Sequence, residues 1–341
     1  MSSLNEHRSI GLSDIEQNLH RLIEQHAPGY CGSMLQEHLY TGGKRLRAQV
    51  TLELAELFSI VKENTVQLAS AVELLHNATL IHDDVQDGDT TRRNQPCTWV
   101  THGMPQAINA GDLGLMLSFQ CIEDMEIEDA LRWTLSKTFS SHSVKTVCGQ
   151  SLEMTLLPNK DFSLDSYTQA SLGKTGAFFA LPMEGIAHLA HLSDHDREAL
   201  VHLFAQIGLL FQMQDDVLDC FGSKGRMQGA DLSEGKVSLL VVQHLQLHPQ
   251  DVPYFVNLLS SSTPLSKQTI HQCIETFASS GALQLALNEI QILEDHIYTS
   301  TILEQYPQLK TKLEALLDTI MTPIQHLFNR PLEMSQCVRL S

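Results

Sequence analysis

The sequence predicts an all-α protein, and three observations carry that expectation. Leu, Ala, Ile, Met, Glu and Gln recur throughout the 341 residues while aromatic residues make up only 6%, a balance that favours helix over strand. Apolar residues return at i, i+3 and i+4 over long stretches. Segments such as 177–190 and 201–218 are apolar on more than one face, as helices central to a large bundle would be. Helices are predicted at roughly 12–26, 44–60, 64–87, 104–122, 127–150, 173–190, 195–219, 234–247 and 303–326. Breaks are expected at Pro28, Gly42-Gly43, Pro96, Pro158, the glycines from 222 to 229, and Pro249. Pro182 lies within a periodic stretch and is expected to kink its helix, not end it. No Gly/Ser-rich or Pro-rich linker or tandem repeat appears, so residues 1–341 are expected to form one domain, with a flexible tail from about residue 330.

Composition excludes several function classes. Lys and Arg number 22 against 40 Asp and Glu, a net charge of −18, which leaves no general basic face for nucleic acid. At 43% hydrophobic and 18% charged, the chain can bury a sizeable core and is not of the disordered class. Seven cysteines without a CxxC pair suit reduced thiols better than disulfides or zinc. The first residues, MSSLNEHRSIGL, hold no apolar leader, and no run of about 18 apolar residues follows. Cys337 stands fifth from the end, which is not a prenylation box. A soluble, cytoplasmic protein without transmembrane segments is expected. The 17 histidines are scattered without metal-ligand spacing.

The chemistry is written at two helix ends. Leu75 to Asp87 runs an apolar helix into Asp83, Asp84 and Asp87. Asp83 and Asp87, at i and i+4, share a helical face about 6 Å apart along the axis. A second cluster, Asp215, Asp216 and Asp219, repeats the spacing at the end of another apolar stretch. Two such carboxylate pairs suit hard cations that hold substrate phosphates, Mg²⁺ above all. Basic residues, scarce in this chain, concentrate beside glycines or the aspartates: Gly42-Gly43-Lys44-Arg45-Leu46-Arg47, Arg92-Arg93, and Lys224-Gly225-Arg226. Cations at a helix start make a diphosphate site.

The order and spacing of GGKRLR, LIHDDVQDGDTTRR, GQSLE, GKTGAFF, FQMQDDVLD and GADLSEGK over roughly residues 40 to 245 resembles the trans-isoprenyl diphosphate synthases. Ala48, Asn94, Glu153 and Arg226 depart from the family pattern. The resemblance implies a large single-domain helical bundle of the isoprenoid synthase type with a deep central active-site cavity. It implies a Mg²⁺-dependent prenyltransferase that joins isopentenyl diphosphate to an allylic diphosphate, working as a homodimer. By this resemblance Asp83 and Asp87 ligate two Mg²⁺ ions and Asp215 a third, supported by Asp84 and Asp219. Arg92, Lys174, Arg226 and Lys236 hold the allylic diphosphate, while Lys44, Arg47, His76 and Arg93 hold that of isopentenyl diphosphate. Thr175 and Gln212 supply oxygens to the carbocation, and Lys174 counts with them as catalytic.

One helical turn rises about 5.4 Å, close to one isoprene unit. Small residues one turn below Asp83, Ala78 and Thr79, therefore suggest growth past three units, with Leu75 and Val72 narrowing the next turns. Met116, Phe119, Phe178 and Phe179 are candidates for the floor. A four-unit product, geranylgeranyl diphosphate, fits best; farnesyl or longer products remain alternatives. A class I terpene cyclase would lack the second DDxxD and the basic pair, and a non-catalytic partner subunit would have eroded aspartates.

Overall fold

Capping residues, glycines and prolines set many of the helix ends. The structure is a computed structural model and describes residues 11–222, 228–261 and 263–328. The expected C-terminal tail, Cys337, and Lys224, Gly225 and Arg226 lie outside the described residues. The contacts divide the chain into two compact units, Met1–Ser143 with Leu181–Val201, and Val144–Ala180 with His202–Ser341.

The first unit opens with α1 (Leu12–His26), whose Ile15, Leu19, Leu22 and Ile23 form the buried stripe and whose start is closed by Gly11 N–H donating to Asp14 Oδ2 at 2.9 Å. It continues through α2 (Tyr30–Tyr40), α3 (Leu46–Leu57) and the 26-residue α4 (Lys62–Asp87), which stops at Gly88 in the left-handed region at φ +73°. A two-stranded hairpin follows, β1 (Thr91–Arg92) against β2 (Gln95–Pro96), then α5 (Thr98–His102) and α6 (Met104–Glu123). α4 is the hub, buried from Asn64 to Ile81 on most sides. Small residues bring α6 against it: a Cβ at Gly114 would meet Ala78 Cβ at 3.0 Å, and one at Gly111 would meet His82 Nε2 at 2.2 Å.

Three helices contribute to both units: α7 (Asp129–Asn159), α9 (Ala177–Leu189) and α10 (Asp194–Phe221). Pro158 lies in the last turn of α7, and α9 continues past Pro182, both close to expectation. In the second unit α8 (Leu164–Ser171), capped by Ser163, runs into α9 through a π-helical turn at Leu172–Gly176. There follow α11 (Ala230–Ser233), α12 (Leu239–Leu247), α13 (Val252–Leu259), α14 (Lys267–Ser279), α15 (Ala282–Tyr298), α16 (Ile302–Gln305), α17 (Pro307–Met321) and α18 (Gln325–Phe328). Leu239 to Val242 are fully buried, and Phe255 and Phe277 stack at 5.8 Å beside His244. The all-α class is as predicted. Helices α2, α5, α8, α11 and α13 to α15 were not predicted; they are 4 to 17 residues long, and in helices this short tertiary packing more than propensity decides helicity.

Candidate active site

The first aspartate cluster occupies the last turns of α4. Asp83 and Asp87 are half-buried and one turn apart. Asp84 lies on another face, 1% exposed, and its Oδ1 accepts from Arg92 Nε at 2.5 Å. Burial pushes the Asp84 carboxyl above its ordinary pKa while Arg92 pulls it back. Burial likewise pushes the Cys97 thiol up to about 12, helped by its hydrogen bond to Asp84. The middle aspartate of the motif thus holds the arginine that the sequence reading assigned to the allylic diphosphate.

The arginine pair is presented by the hairpin. Arg93 and Asn94 form its two-residue turn at φ +54° and +62°, the geometry of a type I′ turn, which Asn tolerates. Asn94, a departure from the family pattern, is therefore compatible with the backbone there. Arg93 reaches back to the glycine loop, donating to Thr41 Oγ1 at 3.3 Å and to the Gly42 carbonyl. Gly43 is required at φ +126°, and a Cβ there would lie 2.5 Å from the Arg93 guanidinium carbon. Lys44 is exposed. Arg47 Nη1 lies 3.1 Å from His76 Nε2. Arg47, His76 and Arg93, three of the four groups expected for isopentenyl diphosphate, are therefore neighbours in this unit.

Beneath them is a layer that sequence reasoning missed. Arg45, buried and left-handed at φ +49°, pairs with Glu73 at 2.8 Å and donates to the Leu39 carbonyl at 2.7 Å. Glu73 Oε1 also accepts from Asn77 Nδ2 at 2.7 Å. His38 is 4% exposed. Burial first, then Arg92, Arg93 and Arg45, lower its pKa to about 3. Burial and the Arg47, Arg93 and Arg92 charges hold His76 well below the usual range too. Both imidazoles are neutral at pH 7, so His76 can accept from Arg47.

In the second unit, glycines let three backbones converge. A Cβ at Gly149 of α7 would lie 2.3 Å from Lys174 N, and one at Gly208 of α10 would lie 2.6 Å from Gly176 Cα. The π turn between them carries Lys174 and Thr175; such turns recur at functional sites. Lys174 Nζ donates to Glu153 Oε2 at 2.6 Å, so the Glu of GQSLE bears directly on an expected catalytic lysine. Thr175 Oγ1 donates to Gln212 Oε1 at 2.8 Å, and Gln212 Nε2 donates to Asp216 Oδ1 at 2.8 Å. Asp216 Oδ2 accepts from Tyr167 Oη at 2.8 Å and Leu239 N at 2.7 Å. Burial, then the Asp231 charge, push the Asp216 carboxyl up to about 7. The sequence reading placed Asp216 in the second cluster without giving it a role, and did not single out Tyr167.

Asp215 is half-buried, while Asp219 is buried and its Oδ2 accepts from Asp231 N at 3.3 Å. Lys236 Nζ lies 2.7 Å from Glu234 Oε2. Among the described residues no three His, Cys, Asp or Glu gather closely enough to hold a metal by themselves. Mg²⁺ commonly takes one or two carboxylates plus phosphate oxygens and water. The half-buried Asp83–Asp87 pair and Asp215 fit that donor set; Asp84, turned onto Arg92, fits it less well.

The wall residues divide. Ala78 is fully buried against Gly114 of α6, so it packs between helices; Thr79, on the Asp83 face one turn below, is half-buried. Met116 is 63% exposed and is no floor for a tunnel. Phe119 packs edge-on to Phe139, and Phe179 lies 5.4 Å from Phe211.

Comparison with known proteins bears on the fold and the family. The polyprenyl synthetase family model matches residues 29–277. A short chain isoprenyl diphosphate synthase of Methanocaldococcus jannaschii is 34% identical over 243 residues, 70% of this chain and 73% of the relative. A geranylgeranyl diphosphate synthase of Methanosarcina mazei is 36% identical over 204 residues, 59% of this chain and 63% of the relative. A crystal structure of a geranylgeranyl pyrophosphate synthase superposes with a TM-score of 0.82 at 23% identity, covering 91% of this chain and 97% of that one; it shows the shared fold. The fold is the all-α fold of these structures, and the family model and relatives make the chain a prenyltransferase. The chain belongs to the polyprenyl synthetase family.

Proposed function

We propose that this prenyltransferase condenses isopentenyl diphosphate with an allylic diphosphate to give geranylgeranyl diphosphate. The observation that carries the reading is that both aspartate motifs stand intact at the ends of α4 and α10 in a chain of this family. Relatives named geranylgeranyl diphosphate synthase and the small Thr79 on the Asp83 face support four units over three.

Asp83, Asp87 and Asp215 would hold Mg²⁺, three ions in all, with Asp84 and Asp219 in support. When bound, the metal supplies Lewis-acid neutralisation of the departing diphosphate. Arg92, Lys174, Arg226 and Lys236 would grip the allylic diphosphate. Lys44, Arg47, His76 and Arg93 would seat isopentenyl diphosphate, with neutral His76 leaving the guanidinium charges to the anion. The allylic C–O bond breaks with its electron pair leaving on diphosphate, the isopentenyl double bond attacks the cationic carbon, and a proton is lost to the released diphosphate. Thr175 and Gln212 oxygens would face that cation in water-excluded surroundings. No described helix is long and apolar enough to cross a membrane, and the six described cysteines are free thiols; both support a cytoplasmic enzyme. We take residues 1–341 as one domain, since three helices are shared between its units.

The test is incubation of the purified chain with Mg²⁺ and an allylic diphosphate, with and without isopentenyl diphosphate, and mass analysis of the products. Elongated diphosphate is expected only with both substrates; cyclised hydrocarbon from the allylic substrate alone would refute the reading. Asp83→Ala should lower turnover by several orders of magnitude with the fold intact, because the charge it helps to neutralise develops in the transition state.

A further inference from the structure

The Thr175–Gln212 pair has a polarity, and the atom that sets it lies one turn further along α10. We propose that Asp216 is a positioning residue that, through Gln212, turns the Thr175 hydroxyl so that its oxygen lone pairs, and not its hydrogen, are left for the cationic carbon. This rests on the prenyl-transfer reading above.

The argument is one of donors and acceptors. Three donors converge on the Asp216 carboxyl: Tyr167 Oη–H at 2.8 Å and Leu239 N–H at 2.7 Å on Oδ2, and Gln212 Nε2–H at 2.8 Å on Oδ1. The three donors occupy both oxygens, so Asp216, 3% exposed, serves this arrangement as the ionised carboxylate, an acceptor only. An amide is nearly symmetric in shape, so Gln212 alone could present either end to Thr175. With its NH₂ drawn to Asp216, its oxygen must face Thr175, and the 2.8 Å contact then requires the hydroxyl to donate. A threonine hydroxyl has one hydrogen and two lone pairs. With the hydrogen committed to Gln212, only lone pairs remain for a substrate. If Gln212 were reversed, its NH₂ would donate to Thr175 and the hydroxyl hydrogen would be free to turn toward the cation, which it would repel. Tyr167 and Leu239 fix the far side of the carboxyl, so the carboxyl is held in place.

Asp216→Asn is isosteric and inverts this logic. Leu239 N–H, which can only donate, demands an acceptor and claims the new amide's oxygen, and the Tyr167 hydroxyl can donate to that oxygen as it does now. Its NH₂ then faces Gln212, which must reverse to accept. Asp216→Asn should lower kcat by roughly 10- to 100-fold, with both KM values within about threefold of wild type and the thermal midpoint little moved. In a Thr175→Val background no hydroxyl remains to be misdirected, so adding Asp216→Asn should cost no more than about threefold further. Binding gives a readout independent of turnover. A prenyl ammonium ion with inorganic diphosphate, mimicking the cation beside its leaving group, should bind Asp216→Asn more weakly by a factor like that in kcat, and an uncharged prenyl analogue should bind it equally. Losses that multiply in the double variant, or a rise in KM with kcat intact, would overturn the proposal. If Asp216→Asn does not fold, the same cycle with Gln212→Met decides, because the hydroxyl loses its acceptor there too; multiplication again overturns the proposal. Should the wild-type chain make no prenyl diphosphate, the functional reading falls and this inference with it, whereas an active wild type with multiplying variants sinks the inference alone.

Discussion

His38 lies in the first unit among Arg45, Arg92 and Arg93, with Asn77 hydrogen-bonded to it. Its pKa is about 3 folded against an ordinary value of 6.5, so between these pH values the unfolded chain binds a proton that the native protein refuses. Stability is therefore complete above about pH 6.5 and is lost as pH falls, approaching roughly 1.4 kcal/mol per pH unit between about pH 6 and pH 4. His38→Gln removes this dependence: urea midpoints of the two proteins should converge on moving from pH 7 to pH 5. A constant gap would show that His38 protonates freely. The two arginines should part company as well. Arg93→Ala should raise the KM for isopentenyl diphosphate and Arg92→Ala that for the allylic substrate, each by about 1.5–3 kcal/mol in binding. Arg92→Ala alone should also cost about 2 kcal/mol in folding, because Asp84 is left buried without its cation. Steady-state kinetics beside denaturant titration separate the two effects, and equal stability of both variants would contradict the Asp84 assignment.

Among elements, the α4–α6 contact decides how product length is read. Ala78 and Thr79 look equivalent one turn below Asp83, yet Ala78 meets Gly114 and Thr79 does not share that burial. Ala78→Phe should therefore destabilise the protein, by about 1–3 kcal/mol or more. Thr79→Phe should leave the melt nearly unchanged and stop elongation at three units or fewer. Product mass spectrometry with thermal melts tests both; unaltered product from Thr79→Phe would remove Thr79 from the wall. Sequence periodicity drew most of α4 and α6 to within two residues, because long apolar repeats signal burial. It could not say which of two adjacent small residues faces a neighbouring helix, because that depends on where Gly111 and Gly114 let α6 approach.

At the scale of the whole molecule, apolar side chains stand exposed along α5, α6 and α7: Val100, Met104, Ile108, Met116 and Trp133 are 43% to 66% accessible. Exposed apolar surface of this kind is expected to associate. Light scattering at micromolar concentration should therefore give twice the chain mass of 38.0 kDa. A monomer would show that these residues serve another purpose.

The residues proposed to do the chemistry were named without any structure. Asp83, Asp87 and Asp215 stand out because like charges repeated on one helical face repel unless a cation sits between them, and Arg93 because cations are scarce in a chain of net charge −18; Lys174 was named by the family resemblance alone. The residues that hold them were not legible. Glu73 under Arg45, Asp84 on Arg92, Glu153 on Lys174 and Asp216 behind Gln212 lie 28, 8, 21 and 4 positions from their partners. A carboxylate at such distances in sequence can equally be a metal ligand, a surface charge or a clamp. Only the tertiary structure, by burying it and bringing one particular donor within hydrogen-bond reach, decides which of these it is.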